Sequence, residues 1–285
     1  MKLEDIKKIG IVGAGTMGQG IAQVAALTGY EVVLFDIHNS SLIRAKDQVE
    51  KNLEKGIERG KLNADQKQIA ISKITFSDEI DHLKVDFVIE AIVEKLEPKQ
   101  DLFKRLEEIN SPETILSSNT SSIPVTRIAN GLKHPERFVG MHFFNPAHIM
   151  KLVEVISGAD TSDVTASITY ELAQKMGKVA VMANDAPGFI VNRVARHYYV
   201  EGLKVLEEGV ADFETIDSLL ESSGFRMGPF RLMDLIGVDT NYSVTEAMFN
   251  SFHQDAKFRP SRIQQQKVDA GHHGRKSGKG FYRYD

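Results

Sequence analysis

The 285-residue chain contains no cysteine. That excludes a disulfide framework, a thiolate metal site and a cysteine nucleophile. It has no apolar run near the roughly 20 residues needed to cross a bilayer, so no membrane association is expected. It has no internal repeat and no low-complexity linker. Positive charge is not in excess: 35 Lys and Arg stand against 39 Asp and Glu, a formal net charge of -4. This argues against general nucleic-acid binding, and an anionic ligand would need a local basic patch. The N-terminus is a short polar lead into a strand, neither a signal nor a transit peptide, and a cytoplasmic location is expected. A hydrophobic content of 42% with 26% charged residues is that of a soluble globular protein, and the length suits one large domain or two smaller ones.

What the chain does have is the loop Gly13-Ala14-Gly15-Thr16-Met17-Gly18 directly behind the apolar run Ile9–Val12. A glycine cluster alone is weak evidence. Here an apolar strand leads in, and a helix pattern with Ile21, Val24, Ala25 and Leu27 on one face leads out. A second strand, Glu31–Phe35, then ends in Asp36, about 20 residues past the glycines. Gly13 suits the tight turn, Gly15 lets backbone approach a pyrophosphate, and Gly18 permits close packing of helix on strand. The helix N-terminus offers N–H groups and a positive dipole end to phosphates. Asp36 would accept from a ribose 2′-hydroxyl and repel a 2′-phosphate, which favours NAD over NADP. Arg44 and Lys46 lie nearby in sequence and weigh the other way.

Strands are predicted over 8–12, 31–35, 86–90, 114–117, 138–143, 151–156 and 178–182, with a further one near 72–76. Helical patterns fill 17–29, 40–58, 64–70, 99–109 and 162–176. This alternation predicts an α/β fold, a Rossmann-type doubly wound sheet with a parallel core and antiparallel strands at its end. The charged segment 40–70 is expected to project as a helical hairpin. Asp185 is expected to cap a long helix over 187–207, with Pro187 in its first turn. Only helical patterns follow, at 213–222, 229–236, 239–252 and 260–269. The expected division is a dinucleotide-binding domain over 1–185 and an all-helical substrate and dimerisation domain over 186–285.

Oxidising an alcohol sends a hydride to a nicotinamide and a proton to a base, and histidine suits that task near neutral pH. His142 lies late in the sheet order, and ligands bind beyond the carboxyl ends of such strands. Glu154 places a carboxylate inside the next apolar run, where it needs a partner. His142 and Glu154 are equally far from the centre of the loop near 148. If their strands are antiparallel neighbours, the two face each other. Spacing leaves catalytic and purely structural roles equally open. Ser117-Ser118-Asn119-Thr120-Ser121-Ser122 reads first as turn chemistry. Asn192 reads as a buried helix–helix hydrogen bond, and Lys51, Lys55 and Arg59 as a solvated helix face. His272 and His273 have no partner at ligand spacing, so no metal site is assigned.

Read together, GAGTMG, EAIVE (90–94), SSNTSS (117–122), MHFFNP (141–146), MKLVEV (150–155), DAPGFIVNR (185–193), MGPF (227–230) and GRKSGKGFY (274–282) resemble the short-chain L-3-hydroxyacyl-CoA dehydrogenases. The match covers nearly the whole chain in order. The resemblance implies NAD-dependent interconversion of (S)-3-hydroxyacyl-CoA and 3-ketoacyl-CoA, with short chains such as 3-hydroxybutyryl. It implies His142 as general base, Glu154 as its orienting partner, and Ser121 and Asn192 on the substrate oxygen. Glu94, Lys99, Asn119, Asn145 and Lys276 would join the glycine loop and Asp36 around NAD. The CoA contacts would fall on Asn52 and Arg59, where the family more often has serine and lysine. His148 replaces a common proline, and Arg231 stands where glutamate is frequent. A homodimer through the helical domain is also implied. Two other readings compete: a hydroxyacid dehydrogenase acting on a non-CoA substrate, and an NAD-binding protein without catalysis.

Overall fold

The computed structural model describes residues 1–284. The chain divides into two compact units, Met1–Ala186 and the residues from Pro187 on. The first unit is built on eight strands: β1 (Lys8–Val12), β2 (Glu31–Phe35), β3 (Ile74–Ser77), β4 (Phe87–Glu90), β5 (Ile115–Ser118), β6 (Phe138–Phe143), β7 (Leu152–Ser157) and β8 (Val179–Asn184). They form one sheet in the order β3-β2-β1-β4-β5-β6-β7-β8. Strands β1 to β6 pair in parallel, β7 is antiparallel to β6, and β8 is parallel to β7. The winding reverses between β1 and β4, the switch point beside which such sheets bind ligands.

Strands β4, β5 and β6 are buried along their whole length, as expected of parallel strands covered on both faces. Helix α1 (Thr16–Leu27) covers β1 and β2 with Ile21, Ala22, Val24 and Ala25. Helices α2 (Asn39–Glu58) and α3 (Ala64–Ser72) form the expected hairpin, but it does not project. Leu42, Ala45, Val49 and Leu53 recur at helical spacing and are buried in the same core as α1, onto which both helices fold back. The polar face that suggested projection is only the outer half of an amphipathic helix.

Helices α4 (Leu96–Ile109) and α6 (Asp163–Lys175) complete the cover. Between them lies α5 (Val125–Ala129), a single short turn with no counterpart in the sequence patterns. It corrects the reading of Asp185. That carboxylate accepts from the backbone of Val125 at 3.0 Å and Thr126 at 2.8 Å, so it caps α5. With both oxygens engaged there, it does not cap the following helix. Helix α7 instead runs Val191–Glu207, after a turn in which Gly188 and Phe189 have φ of 73° and 48°.

The second unit adds α8 (Phe213–Ser222), α9 (Pro229–Ile236), α10 (Val238–Ser251) and α11 (Arg262–Asp269). Tyr199, Leu203, Ile216, Phe230, Met233, Val238 and Phe281 form its core. Two buried aspartates tie the tail to it. Asp217 accepts from the Phe230 and Arg231 backbone and from the Tyr282 hydroxyl. Asp234 accepts from the Phe281 and Tyr282 backbone and from the Tyr284 hydroxyl. Arg231 pairs with Glu221 and stacks on the Tyr282 ring, so this departure from the family pattern is absorbed within the unit. Among the described residues no helix is long and apolar enough to cross a membrane.

Candidate active site

The glycine loop follows β1 at the switch point. Gly13 has φ 102°, and a Cβ there would lie 2.6 Å from the Ala91 carbonyl oxygen. A Cβ on Gly18 would lie 1.7 Å from the Gly13 oxygen. Backbone angle and neighbouring backbone therefore demand both glycines. Gly15 differs: its φ is -71°, and a Cβ would meet nothing within 4 Å. Neither strain nor protein packing accounts for glycine there, whereas a dinucleotide pressed against the loop does. No side chain caps α1, so the N–H groups of its first turn suit phosphate oxygens. Asp36 accepts from Ala14 N at 2.8 Å and His38 N at 2.9 Å, which fixes a carboxylate at the end of β2 beside the loop. The residues present thus fit a dinucleotide with an unmodified ribose.

On the other side of the switch, β4 ends in Glu90, which is fully buried. One carboxylate oxygen accepts from Ile92 N at 2.7 Å and Lys99 Nζ at 2.5 Å, and the other from the Ser118 hydroxyl at 2.6 Å. Lys99 is 1% exposed and also reaches Glu94 at 3.1 Å. Glu94 in turn accepts from the Thr120 hydroxyl at 2.7 Å, Ser121 N at 2.8 Å and Ser122 N at 3.1 Å. Burial pushes the Glu90 carboxyl above the ordinary carboxylate value, and the opposing pull of Lys99 and the hydrogen bonds does not cancel it. Burial acts on Glu94 in the same direction. There Lys99 and the Thr120 and Ser121 donors win, and the carboxyl falls below its ordinary value. Glu90 was given no role of its own from the sequence, and Ser118 and Thr120 were read there as turn chemistry. The signal was present: an acid inside the apolar run Phe87–Glu90 needs a partner for the same reason as Glu154. Asn119 accepts from Phe143 N at 2.8 Å and so joins the ends of β5 and β6.

His142 and Glu154 stand directly opposite each other across the antiparallel β6–β7 pair. Nδ1 lies 2.8 Å from a Glu154 carboxylate oxygen, with the residues 5% and 0% exposed. The Phe144 ring packs against the imidazole, centroids 4.5 Å apart. The contact to Nδ1 fixes the orientation of the imidazole against the carboxylate. Asn145 follows β6 on an exposed loop, which Lys178 fastens by donating to the Ala147 and Met150 carbonyls. His148 lies on that loop, and burial followed by the charge of Lys178 pulls its pKa down.

The glycine loop, Asp36, Glu94, Asn119, Ser121, His142, Glu154 and Asn145 thus gather on the carboxyl-end side of the parallel strands. Asn52 and Arg59 lie apart, on the later turns of α2 and its C-cap. The Asn52 amide oxygen accepts from Gln48 at 2.9 Å. In the second unit, Asn192 occupies the first turn of α7, and Lys276 pairs with Asp239 at 2.7 Å. No cluster of three or more metal-ligating side chains occurs among the described residues.

Comparison with known proteins gives one answer over the whole chain. The family model for the 3-hydroxyacyl-CoA dehydrogenase NAD binding domain matches residues 8–186, and that for the C-terminal domain matches 188–284. A probable 3-hydroxybutyryl-CoA dehydrogenase from Deinococcus radiodurans is 46% identical over 97% of this chain and 100% of its own length. The 3-hydroxyadipyl-CoA dehydrogenase of Escherichia coli is also 46% identical over 98% of this chain, but the chain spans only 59% of that protein. The crystal structure of (S)-3-hydroxybutyryl-CoA dehydrogenase from Ralstonia eutropha superposes with a TM-score of 0.94, at 40% identity over 98% of this chain and 99% of the other. With its dinucleotide loop, its buried histidine–glutamate pair and these full-length matches, the chain belongs to the 3-hydroxyacyl-CoA dehydrogenase family of NAD-dependent oxidoreductases.

Proposed function

We propose that the chain interconverts short-chain (S)-3-hydroxyacyl-CoA and 3-ketoacyl-CoA through a His142–Glu154 proton relay. The observation that carries this reading is the 2.8 Å contact between two buried groups on facing strands. His142 takes the 3-hydroxyl proton at Nε2. Glu154 holds the ring in the required tautomer and balances the imidazolium as it forms. Ser121 and Asn192 hold the substrate oxygen, and positioning supplies much of the rate. Bound NAD supplies the hydride acceptor. Gly13, Gly15, Thr16, Met17 and Gly18 cradle its pyrophosphate and Asp36 its ribose, with Glu94, Lys99, Asn119, Asn145 and Lys276 around them. Asn52 and Arg59 carry the CoA handle. The reading includes a homodimer through the second unit, supported by apolar side chains exposed there, among them Val194, Leu219 and Phe225. The acyl-CoA substrate is too charged to cross a membrane unaided, which supports a cytoplasmic setting.

The test is NADH consumption with acetoacetyl-CoA, repeated with NADPH and with the free acid. His142→Gln is expected to lower turnover by about 10²–10⁴-fold, the usual contribution of a general acid–base group. Glu154→Gln is expected to lower turnover while leaving NADH affinity intact. Near-full turnover by the His142 variant would overturn the relay. Equal activity on the free acid would overturn the thioester assignment.

A further inference from the structure

The segment 144–151 joins β6 to β7 and so links the strands that carry His142 and Glu154. It closes one turn, in which the Pro146 carbonyl accepts from the Ile149 and Met150 amides at 2.9 Å each. No backbone amide among the described residues donates to the Ala147 or Met150 carbonyl. Lys178, half-buried just before β8, donates to both, at 2.5 and 2.8 Å. An ammonium brings three donors and no acceptor, so one side chain serves both carbonyls at once. Burial pulls its pKa below that of an ordinary lysine, so the group is held here against its preference for water.

Helix α1 and strand β8 hold the same segment. Ala147 is 1% exposed and belongs to the core that α1 helps to build. A Cβ on Gly20 would lie 3.2 Å from the Ala147 Cβ and 3.5 Å from the His148 nitrogen, so the bare Gly20 backbone is what admits the loop. Val179 N donates to the Lys151 carbonyl at 2.8 Å. Among these ties, Lys178 alone works through a side-chain donor. In the sheet order, β2 with Asp36 lies on one side of the switch point and β6 on the other. A dinucleotide whose adenosine ribose meets Asp36 therefore extends its nicotinamide toward β4, β5 and β6. Asn145, two residues past the end of β6, stands at that end, directly before the turn that Lys178 bridges.

We propose that Lys178 is a positioning residue for hydride transfer: by bridging the Ala147 and Met150 carbonyls it fixes the loop that sets Asn145 against the nicotinamide half of the cofactor. This rests on the reading above, in which Asn145 meets NAD. Lys178 acts through Asn145 and not by a contact of its own. The pyrophosphate and adenosine, assigned to the glycine loop and Asp36, do not depend on it. Hydride transfer does, because the donor and acceptor carbons must meet at about 3–3.5 Å.

The experiment uses the full chain and compares NADH with ADP-ribose, which carries the same pyrophosphate and adenosine but no nicotinamide. By calorimetry, Lys178→Met is expected to weaken NADH binding about three- to tenfold and to leave ADP-ribose within about twofold of the wild type. In turnover with acetoacetyl-CoA, kcat should fall about tenfold or more while KM for the thioester stays within about threefold, since a misplacement near 1 Å costs up to about a hundredfold in the chemical step. Asn145→Ala should divide NADH from ADP-ribose in the same way. Asn145→Ala/Lys178→Met should cost NADH binding no more than Asn145→Ala alone, as expected when one residue acts through the other. If Lys178→Met fails to fold, Lys178→Gln, uncharged and one bond shorter, carries the same comparison. Equal losses for NADH and ADP-ribose would reduce Lys178 to a structural tie and overturn the proposal. So would a double variant that costs the product of the two single effects. A clear Asn145→Ala effect with none from Lys178→Met would sink this inference alone. An Asn145→Ala protein with wild-type NADH affinity and kcat would sink the reading beneath it as well.

Discussion

The buried pair Glu90–Lys99 makes a quantitative prediction. Both side chains are at most 1% exposed and meet at 2.5 Å, so solvent screening does not discount their interaction. Removing one partner strands the other. Glu90→Gln leaves the Lys99 ammonium inside the protein, opposed only by Glu94 at 3.1 Å, whose side chain is 35% exposed. Breaking a pair of this kind costs about 3–5 kcal/mol. Domains near the size of the first unit, residues 1–186, lose about 2–4 °C of Tm per kcal/mol, so the expected drop is roughly 6–20 °C. Lys99→Met should cost less at acid pH, because the stranded Glu90 takes up a proton there. Its penalty should therefore grow as pH rises. In Glu90→Gln/Lys99→Met no fully buried charge is stranded, since Glu94 is partly exposed and keeps its Thr120, Ser121 and Ser122 donors, and stability should return to within about 2 kcal/mol of the wild type. Turnover should not return with it, because Glu94 has lost the cation that holds it beneath the Ser121 and Ser122 amides. The assays are urea unfolding followed by circular dichroism and NADH consumption. Single variants within about 1 kcal/mol of the wild type, or a double variant costing the sum of the two, would refute the reasoning.

Two further outcomes follow from the glycine loop and from Glu94. Gly18→Ala should weaken NADH binding about ten- to a hundredfold, because its Cβ meets the Gly13 oxygen and rigid backbone must move. Gly15→Ala should weaken binding with Tm unchanged, since its Cβ meets no protein atom. Fluorescence titration beside thermal melts separates the two, and a Gly15→Ala protein with wild-type NADH affinity would contradict the fit of a dinucleotide there. The folded-state pKa of Glu94 lies below its ordinary value. The stability it contributes is therefore present above the unfolded-state pKa of about 4.3 and is lost as pH falls through the lower folded value. Glu94→Gln should accordingly melt below the wild type at pH 7, with the gap closing toward pH 3. A gap independent of pH would count against ionised Glu94 as the source.

Much of this was legible because it is local or periodic. The βαβ unit around Gly13 announces itself in one stretch, and the His142–Glu154 pair follows from equal distances to a loop centre once the strands are antiparallel. The elements that escaped are those whose cause lies far away in the chain. Helix α5 is five residues long, too short for a periodic signal, and its cap, Asp185, comes 60 positions later. Asp217 meets Tyr282 across 65 positions, and no local pattern marks either as a partner. Glu90 was within reach, since an acid ending an apolar strand poses the question that Glu154 posed. The burial of Arg196 on α7 was not, because it is made by α10, whose Asn241 carbonyl and Thr245 hydroxyl accept from it some 45 positions along the chain.

The facing pair on β6 and β7 also bears on how the chain avoids misfolding. Two adjoining strands rich in valine, methionine and phenylalanine could slide past one another with little loss of apolar contact. A slip of one residue, however, sends every side chain of β7 to the opposite face of the sheet. Glu154 would then be sealed among hydrocarbon without its imidazole, and His142 would lose its carboxylate. Only one alignment of the two strands escapes that penalty. The side chains proposed to handle the proton thus also select the correct strand alignment as the sheet assembles. The loop between them, relieved of that duty, is open to substitutions such as His148.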